Sequence, residues 1–521
     1  MAVMKRKNPT KIRFGIMIWA WAALSVGMAS CSDFFDPSQD LIQEREDHYN
    51  SLEDVRRGLT GAYAGLQKVV DNVVVMGGLR ADLMTVTGNY DPFLEQVENH
   101  GMSPDNPYAS PKYFYDIILN CNDVLENIEK SKADPKMTDE VADAYRAELR
   151  TLRAWTYLQL AQTYKEVPVI KEALNGHFGD YEPERYNKVK MLNWLITEME
   201  WISEQEQLDW REFDNKKVEL WTPYEVVFIN RKALLGELYL ASGNFEKAAT
   251  TFYDCIINDG DGKDDPKLKC SSLTGGIFWD DTWQRVEDGT VGMEHLSVIP
   301  FDNRKHQTHG LMSLFSNATQ HKYLIKPTEV AVNKWQGQRG HNFNFDVYRG
   351  LNKSYAVVSD DTLVNKYMIG KSIYESDAVY PIYRAADLHL LYAEATNRAG
   401  NPAEALGVIN TQLKGSPETA GIRGRVSLKS VEMDDLRLRY PNAGSEMELV
   451  EMALLEERAL EFAFEGKRWN DLVRFAERAG RPAWLADRIA AKYATDPSKR
   501  EEARKMLMDV SKWKIDMPTL K

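Results

Sequence analysis

Near the C-terminus, Glu456, Glu457, Arg458 and Glu461 crowd into six positions, and Arg468 and Asp471 follow. Carboxylates this dense are the raw material of acid–base catalysis, and two of them about 5–10 Å apart would suit glycoside hydrolysis. Their spacing argues for another use. Steps of three and four residues share one helix face, where Glu and Arg pair along the helix surface. Arg384 and Asp387, one turn apart, follow the same rule. Ion-pair networks are the commoner cause of such clusters, so these residues are assigned to the fold. Asp280-Asp281 point opposite ways in a strand and do not converge. His306-x-x-His309 lacks a third ligand. The run 259–265 is similar to a calcium loop, but Cys270 stands where the twelfth-position Glu is needed. No GxSxG, P-loop or GxGxxG occurs. The expectation is no catalytic residue, no metal and no cofactor.

The chain has 521 residues, 43% apolar and 27% charged, which is ordinary globular usage and excludes a disordered chain or a fibre. The N-terminus carries the first specific chemistry. Lys5, Arg6, Lys7, Lys11 and Arg13 precede an apolar stretch at 14–26, then Met28-Ala29-Ser30-Cys31. That is the order of a secretory signal, and the small residues before Cys31 resemble a lipobox, where the Cys becomes lipidated. The stretch is short for a bilayer span of about twenty residues. Residues 1–30 are therefore expected to be removed and 31–50 to act as a lipidated tether. Loss of the five basic residues takes the net charge from −13 to −18. A body this acidic repels phosphate backbones, so no nucleic-acid partner is expected. Beyond Cys31 stand only Cys121, Cys255 and Cys270, too few for a disulfide framework, although Cys255 and Cys270 could pair.

The remaining pattern is mainly α. Amphipathic periodicity predicts helices over 52–70, 112–130, 139–163, 186–205, 224–242 and 245–258. They resume over 384–399, 403–414 and 446–475, with a break near Gly466. Ser51 and Asp54 occupy the positions of a capping box. Residues 260–380 are rich in Gly, Asp, Asn and aromatics and predict loops with short strands and helices. Leu235, Gly236, Tyr239, Gly243, Phe245, Ala248, Phe252 and Cys255 fill the slots of a tetratricopeptide (TPR) helical hairpin. Ala393, Gly400, Ala405 and Ile409 fill the same slots, with Pro402 starting the second helix. Two hairpins so far apart are no tandem array; they suggest a helical scaffold around an insertion.

With these features the chain resembles the SusD/RagB family of outer-membrane nutrient-binding lipoproteins. The resemblance rests on the lipobox followed by Ser-Asp-Phe-Phe-Asp-Pro, and on Arg153-Ala154-Trp155 through Tyr164-Lys165-Glu166-Val167-Pro168, where the family has Gly at the Lys165 position. It rests further on Tyr383-Arg384-Ala385-Ala386-Asp387-Leu388 with Leu391-Tyr392-Ala393-Glu394-Ala395, on 403–410, and above all on 456–472. It brackets the chain, with 260–380 matching loosely. It implies a single TPR-like domain over 51–521, with 51–259 and 381–521 as scaffold and 260–380 as the ligand-side insertion.

The function implied is non-catalytic: binding a nutrient glycan at the cell surface and delivering it to a SusC-like TonB-dependent barrel. The lipid on Cys31 would anchor the chain to the outer membrane, facing outward. Sugar rings need flat aromatic surfaces with amides, carboxylates or Arg nearby, held on loops. Two loop regions meet that need. One offers Arg80, Asp82, Asn89 and Tyr90; the other offers Trp279, Trp283, Arg285, Asn303 and Trp335. Trp283→Ala is expected to weaken ligand binding and to leave the melting temperature unchanged. Three alternatives stay open: peptide or glycopeptide cargo, a scaffold lipoprotein whose groove binds protein, and a surface glycosidase.

Overall fold

The computed structural model describes residues 49–174, 182–202, 227–257, 276–283, 294–369, 377–411 and 421–518. Cys31, the signal segment, Arg285, Cys270 and the acidic run 259–265 lie outside them. Helices dominate and the strands are short. The Ser51 hydroxyl accepts from the Asp54 N–H, and the Asp54 carboxylate accepts from the Ser51 N–H, closing the capping box on the helix Leu52–Ala64. The run predicted as one helix over 52–70 divides. A 3-10 turn at Gly65–Lys68 redirects the chain into a second helix, Val70–Gly78. The helix Asp139–Thr163 stands as its periodicity predicts, capped by Thr138.

The two TPR-like hairpins are Arg231–Ser242 with Phe245–Ile257, and Ala385–Arg398 with Pro402–Asn410. Gly243 and Gly400 turn them, both with positive φ. At Gly236 a Cβ would meet the Phe252 ring at 2.6 Å, so a small residue sets the approach of the first pair. The hairpins are adjacent in space. Phe245–Ile257 packs along Ala385–Arg398, with Tyr253 and Tyr392 rings 5.8 Å apart. Lys112–Asn127, Asp139–Thr163, Lys188–Ile202 and the four hairpin helices form one continuous row, each against the next. The chain between 257 and 385 leaves this row and returns to it.

That intervening chain contributes antiparallel strand pairs: His295–Ile299 with Tyr380–Arg384, and the hairpin Tyr355–Val358/Asp361–Val364. Its strand Ile325–Pro327 pairs with Met84–Val86, which follows the second helix.

The C-terminal helices Glu446–Phe462 and Arg468–Ala479 bind these parts together through buried charge. The surface pairs expected along Glu446–Phe462 do not form, because Glu457, Arg458 and Glu461 face the interior. Glu457 accepts from Arg349 and Arg423 at 2.8 and 2.7 Å. Glu461 accepts from Arg349 and Arg384 at 2.9 and 2.6 Å and also from Arg425. Arg458 donates to Asp387 and Asp471 at 2.9 and 2.8 Å. The assignment of these residues to the fold holds, through contacts between elements.

Between the two helices, Gly466 has φ +75° and lies against the helix Val70–Gly78. A Cβ there would stand 2.6 Å from the Val73 carbonyl oxygen, and one on Gly77 would overlap the Gly466 carbonyl. Gly466→Ala should therefore cost about 2–3 kcal/mol, from the left-handed backbone and the clash together. Gly407→Ala is the control, since it sits in a helix with nothing within 4 Å of its Cβ and should be neutral or stabilising. Urea denaturation of both checks this.

Candidate functional site

The loop after Met84–Val86 is fastened at both ends. Thr87 donates its hydroxyl to the Tyr323 carbonyl at 2.6 Å, and the Asn89 amide donates to the Lys322 and Tyr323 carbonyls at 2.9 and 3.0 Å. Asp91 caps the helix Pro92–Glu98, accepting from the Phe93 and Leu94 N–H groups at 3.0 Å. Between these anchors Tyr90 is 78% exposed. A bare phenol ring on a held backbone is a flat apolar platform with a polar tip, the surface a sugar ring stacks on.

Sequence reasoning missed the elements beside it. The Tyr323 hydroxyl donates to the Thr362 carbonyl at 3.0 Å, bringing the tip of the 355–364 hairpin to this end of the molecule. Burial and Asp361 push that phenol up to about 12. The hairpin tip presents exposed Val358, Ser359 and Asp360. Positive φ at Ser359 and Asp360 is the pattern of a type I′ turn. The signal was present as a two-residue Ser-Asp turn between β-rich runs. Lys322 and Asp360 are exposed on these elements, while the Asn89 amide is spent on holding the loop.

The second loop holds Asn303 half-buried, its N–H donating to Asp377 at 3.1 Å, while Arg304 is exposed and pairs with Asp302. The chain then runs past Gly310, whose N–H donates to both oxygens of Asp71 at 3.0 Å, into the helix Leu311–Phe315. Burial lifts the Asp71 carboxyl to about 6. Leu324 and Tyr323 donate to carbonyls of that helix, so the same element supports both loops.

Five of the sequence-nominated residues lie in the interior. Arg80 and Asp82 sit just beyond Val70–Gly78, a helix whose β-branched, Gly-ended sequence hid it within the expected loop. Asp82 is fully buried and accepts from Arg468 at 2.8 and 2.9 Å. Burial raises its pKa, but Arg468 and Arg488 outweigh that and hold the carboxyl ionised. Trp279 and Trp283 pack on each other at 5.7 Å, and Trp283 packs edge-on to Tyr367. Lys366 lies over both indoles, at 5.2 and 4.8 Å. Trp335 donates its indole N–H to the Leu460 carbonyl at 3.2 Å and packs on Tyr355 and Phe464. None of the three presents a ring face to solvent. His309 is buried between Phe301 and Tyr367, while His306 is exposed, so the pair does not converge.

The catalytic-looking carboxylates are equally unavailable. Burial opposes ionisation of Glu457 and Glu461, and their Arg partners more than offset it, holding both pKa values down. Saturated ion pairs at the core do not shuttle protons. Among the described residues no group of three or more His, Cys, Asp or Glu could hold a metal. No helix among them is long and apolar enough to cross a membrane.

Comparison with known proteins gives one answer. Residues 216–515 match the model of the SusD family. "SusD-like protein P38" of Formosa agariphila is 22% identical over 510 residues, covering 90% of this chain and 92% of that one. A SusD superfamily structure from Bacteroides vulgatus superposes with a TM-score of 0.66 at 17% identity, over 88% of this chain and 93% of that one. "Surface glycan-binding protein A" from Bacteroides uniformis does so with a TM-score of 0.63 at 18% identity, over 86% and 93%.

Proposed function

The chain belongs to the SusD family, and from that membership we propose that it captures nutrient glycans and delivers them, unbroken, to a SusC-like TonB-dependent barrel. The lipid on Cys31 tethers it to the outer membrane, facing the cell surface. The observation that carries the ligand reading is Tyr90, the sequence-nominated aromatic left bare on an anchored loop. Exposed Lys322 and Asp360, on the elements tied to this loop, are the groups assigned to meet sugar hydroxyls once a ring stacks there. A solved relative described as a surface glycan-binding protein supports the same cargo. The signal-peptide order and lipobox of the first 31 residues support the anchor. The barrel partner rests on the family alone.

Calorimetry or affinity electrophoresis of the mature chain against glycan and peptide panels tests this. Saturable binding of one glycan class without released reducing sugar is expected. Tyr90→Ala should weaken it about tenfold or more, the worth of a stacked ring, with an unchanged melting temperature. Binding of peptides alone would replace the cargo. Unaltered glycan affinity in Tyr90→Ala would move the site away from this face.

A further inference from the structure

Arg80 is 1% exposed, yet it pairs with no carboxylate among the described residues. Its Nη2 donates to the Trp513 carbonyl at 2.7 Å, and its Nε makes a long 3.4 Å contact to His100 Nδ1. The guanidinium carbon lies 4.0 Å from the centre of the Trp469 ring. Among the described residues Nη1 has no hydrogen-bond partner, and it is not sealed from the pocket. His100 brings no negative charge, since burial and then Arg80 and Lys492 press its pKa down and keep the ring neutral. The buried guanidinium groups of Arg349, Arg384, Arg458 and Arg468 each have a carboxylate. Burial alone draws Arg80 down to about 9. A buried charge without a counter-charge is unfavourable unless something compensates it.

Arg80 lines a pocket between the helices Val70–Gly78, Asp139–Thr163 and Arg468–Ala479. No Asp or Glu lines this pocket. The Asn72 amide already donates to the Pro107 and Tyr108 carbonyls, the Tyr164 hydroxyl to the Ala109 carbonyl and the Asn470 amide to Gln162, which leaves the Gln159 amide and the Thr163 hydroxyl as its neutral donors. The neighbouring cavity differs in carrying both signs: Glu237, Asp387 and Asp471 stand in its wall with Arg458, Lys467 and Arg474, and the carboxylates are already bonded. The space beside Arg80 available to water centres is about 30 Å³, enough for two waters or a carboxylate group.

We propose that this pocket binds a small carboxylate anion, which supplies the counter-charge that the protein withholds from Arg80. Arg80 donates through Nη1, and the Gln159 amide and Thr163 hydroxyl complete the shell. The anion arrives either as a free small carboxylate or as the carboxylate of an acidic sugar. The site is independent of neutral-glycan binding at Tyr90, so each can fail without the other.

Thermal unfolding of the full-length chain tests it, with acetate or glucuronate replacing chloride at constant ionic strength and pH 7.5. A saturable rise of about 2 °C with acetate is expected in the wild type. It should vanish in Arg80→Met, which removes the guanidinium, and in Gln159→Phe, which fills the pocket and leaves the Trp513 contact intact. An equal rise with glucuronate assigns the carboxylate to a sugar, and a rise with acetate alone assigns it to a small free anion. A wild-type response that never saturates, or one equal in the variants, overturns the proposal and leaves Arg80 as a clamp on the Trp513 carbonyl. Should Arg80→Met not fold, Gln159→Phe decides by itself.

Discussion

Glu461→Gln should lower the unfolding free energy by about 3–5 kcal/mol, the cost of removing one partner from a buried ion pair. Glu461 is fully buried and serves Arg349, Arg384 and Arg425 together. Around it, Arg349, Lys366, Arg384, Arg423 and Arg425 face Asp346, Glu294, Glu457, Glu461 and Glu465. Five cations against five carboxylates leave no net charge. The substitution removes one negative charge and turns an acceptor oxygen into a donor aimed at guanidinium groups. Burial raises the Glu461 pKa, but its three arginines hold the folded value well below the ordinary 4.5. A carboxylate with a depressed folded pKa adds stability above the unfolded pKa and loses it as pH falls through the folded one. Wild-type stability should therefore decline below about pH 4.5, and the variant should decline less steeply while starting lower. Denaturant titrations at pH 7 and pH 4 measure both effects. A loss below about 1 kcal/mol at pH 7 would contradict the buried geometry, since exposed pairs such as Arg57–Glu53 are worth no more than that.

Trp283→Ala should cost about 3–5 kcal/mol and lower the melting temperature by several degrees, the opposite of what the sequence suggests for a loop aromatic. The ring is fully buried against Trp279 and Tyr367, under Lys366 and 5.8 Å from the Arg384 guanidinium. Truncation leaves a cavity beside two buried cations and removes their aromatic face. Trp283→Phe should cost distinctly less, because the indole N–H makes no hydrogen bond among the described residues. Glycan affinity of folded Trp283→Phe should match the wild type. A melting temperature unchanged by Trp283→Ala would put the ring back at the surface.

Local chemistry reached a long way here. The capping box at Ser51 and Asp54 closes between neighbours, and the helix Asp139–Thr163 needs only its own periodicity. Gly243 and Gly400 turn their hairpins through their own backbones. The helical class, the two hairpins and the family were therefore legible from the residues. The exposure of Asn89 and Tyr90 was legible too, because a Gly-Asn-Tyr-Asp-Pro run marks a surface turn wherever it sits.

What stayed hidden depends on partners far along the chain. Asp82 meets Arg468 across 386 positions, and no local spacing encodes that pairing. The residues of Glu446–Phe462 carry a surface pattern of charge, yet most are buried, because neighbouring elements cover the helix on all sides. The tryptophans of the middle region stand among Gly, Asp and Asn as surface residues do. Their burial was decided by Lys366, Tyr367 and Phe464, which arrive from other elements. The sequence by itself determined the long amphipathic helices, the hairpin turns and the repeated hairpin, since those arise from interactions within a few residues. Tertiary structure alone decided which charges and rings became core and which rings stayed exposed, since burial is set by what the rest of the chain brings alongside.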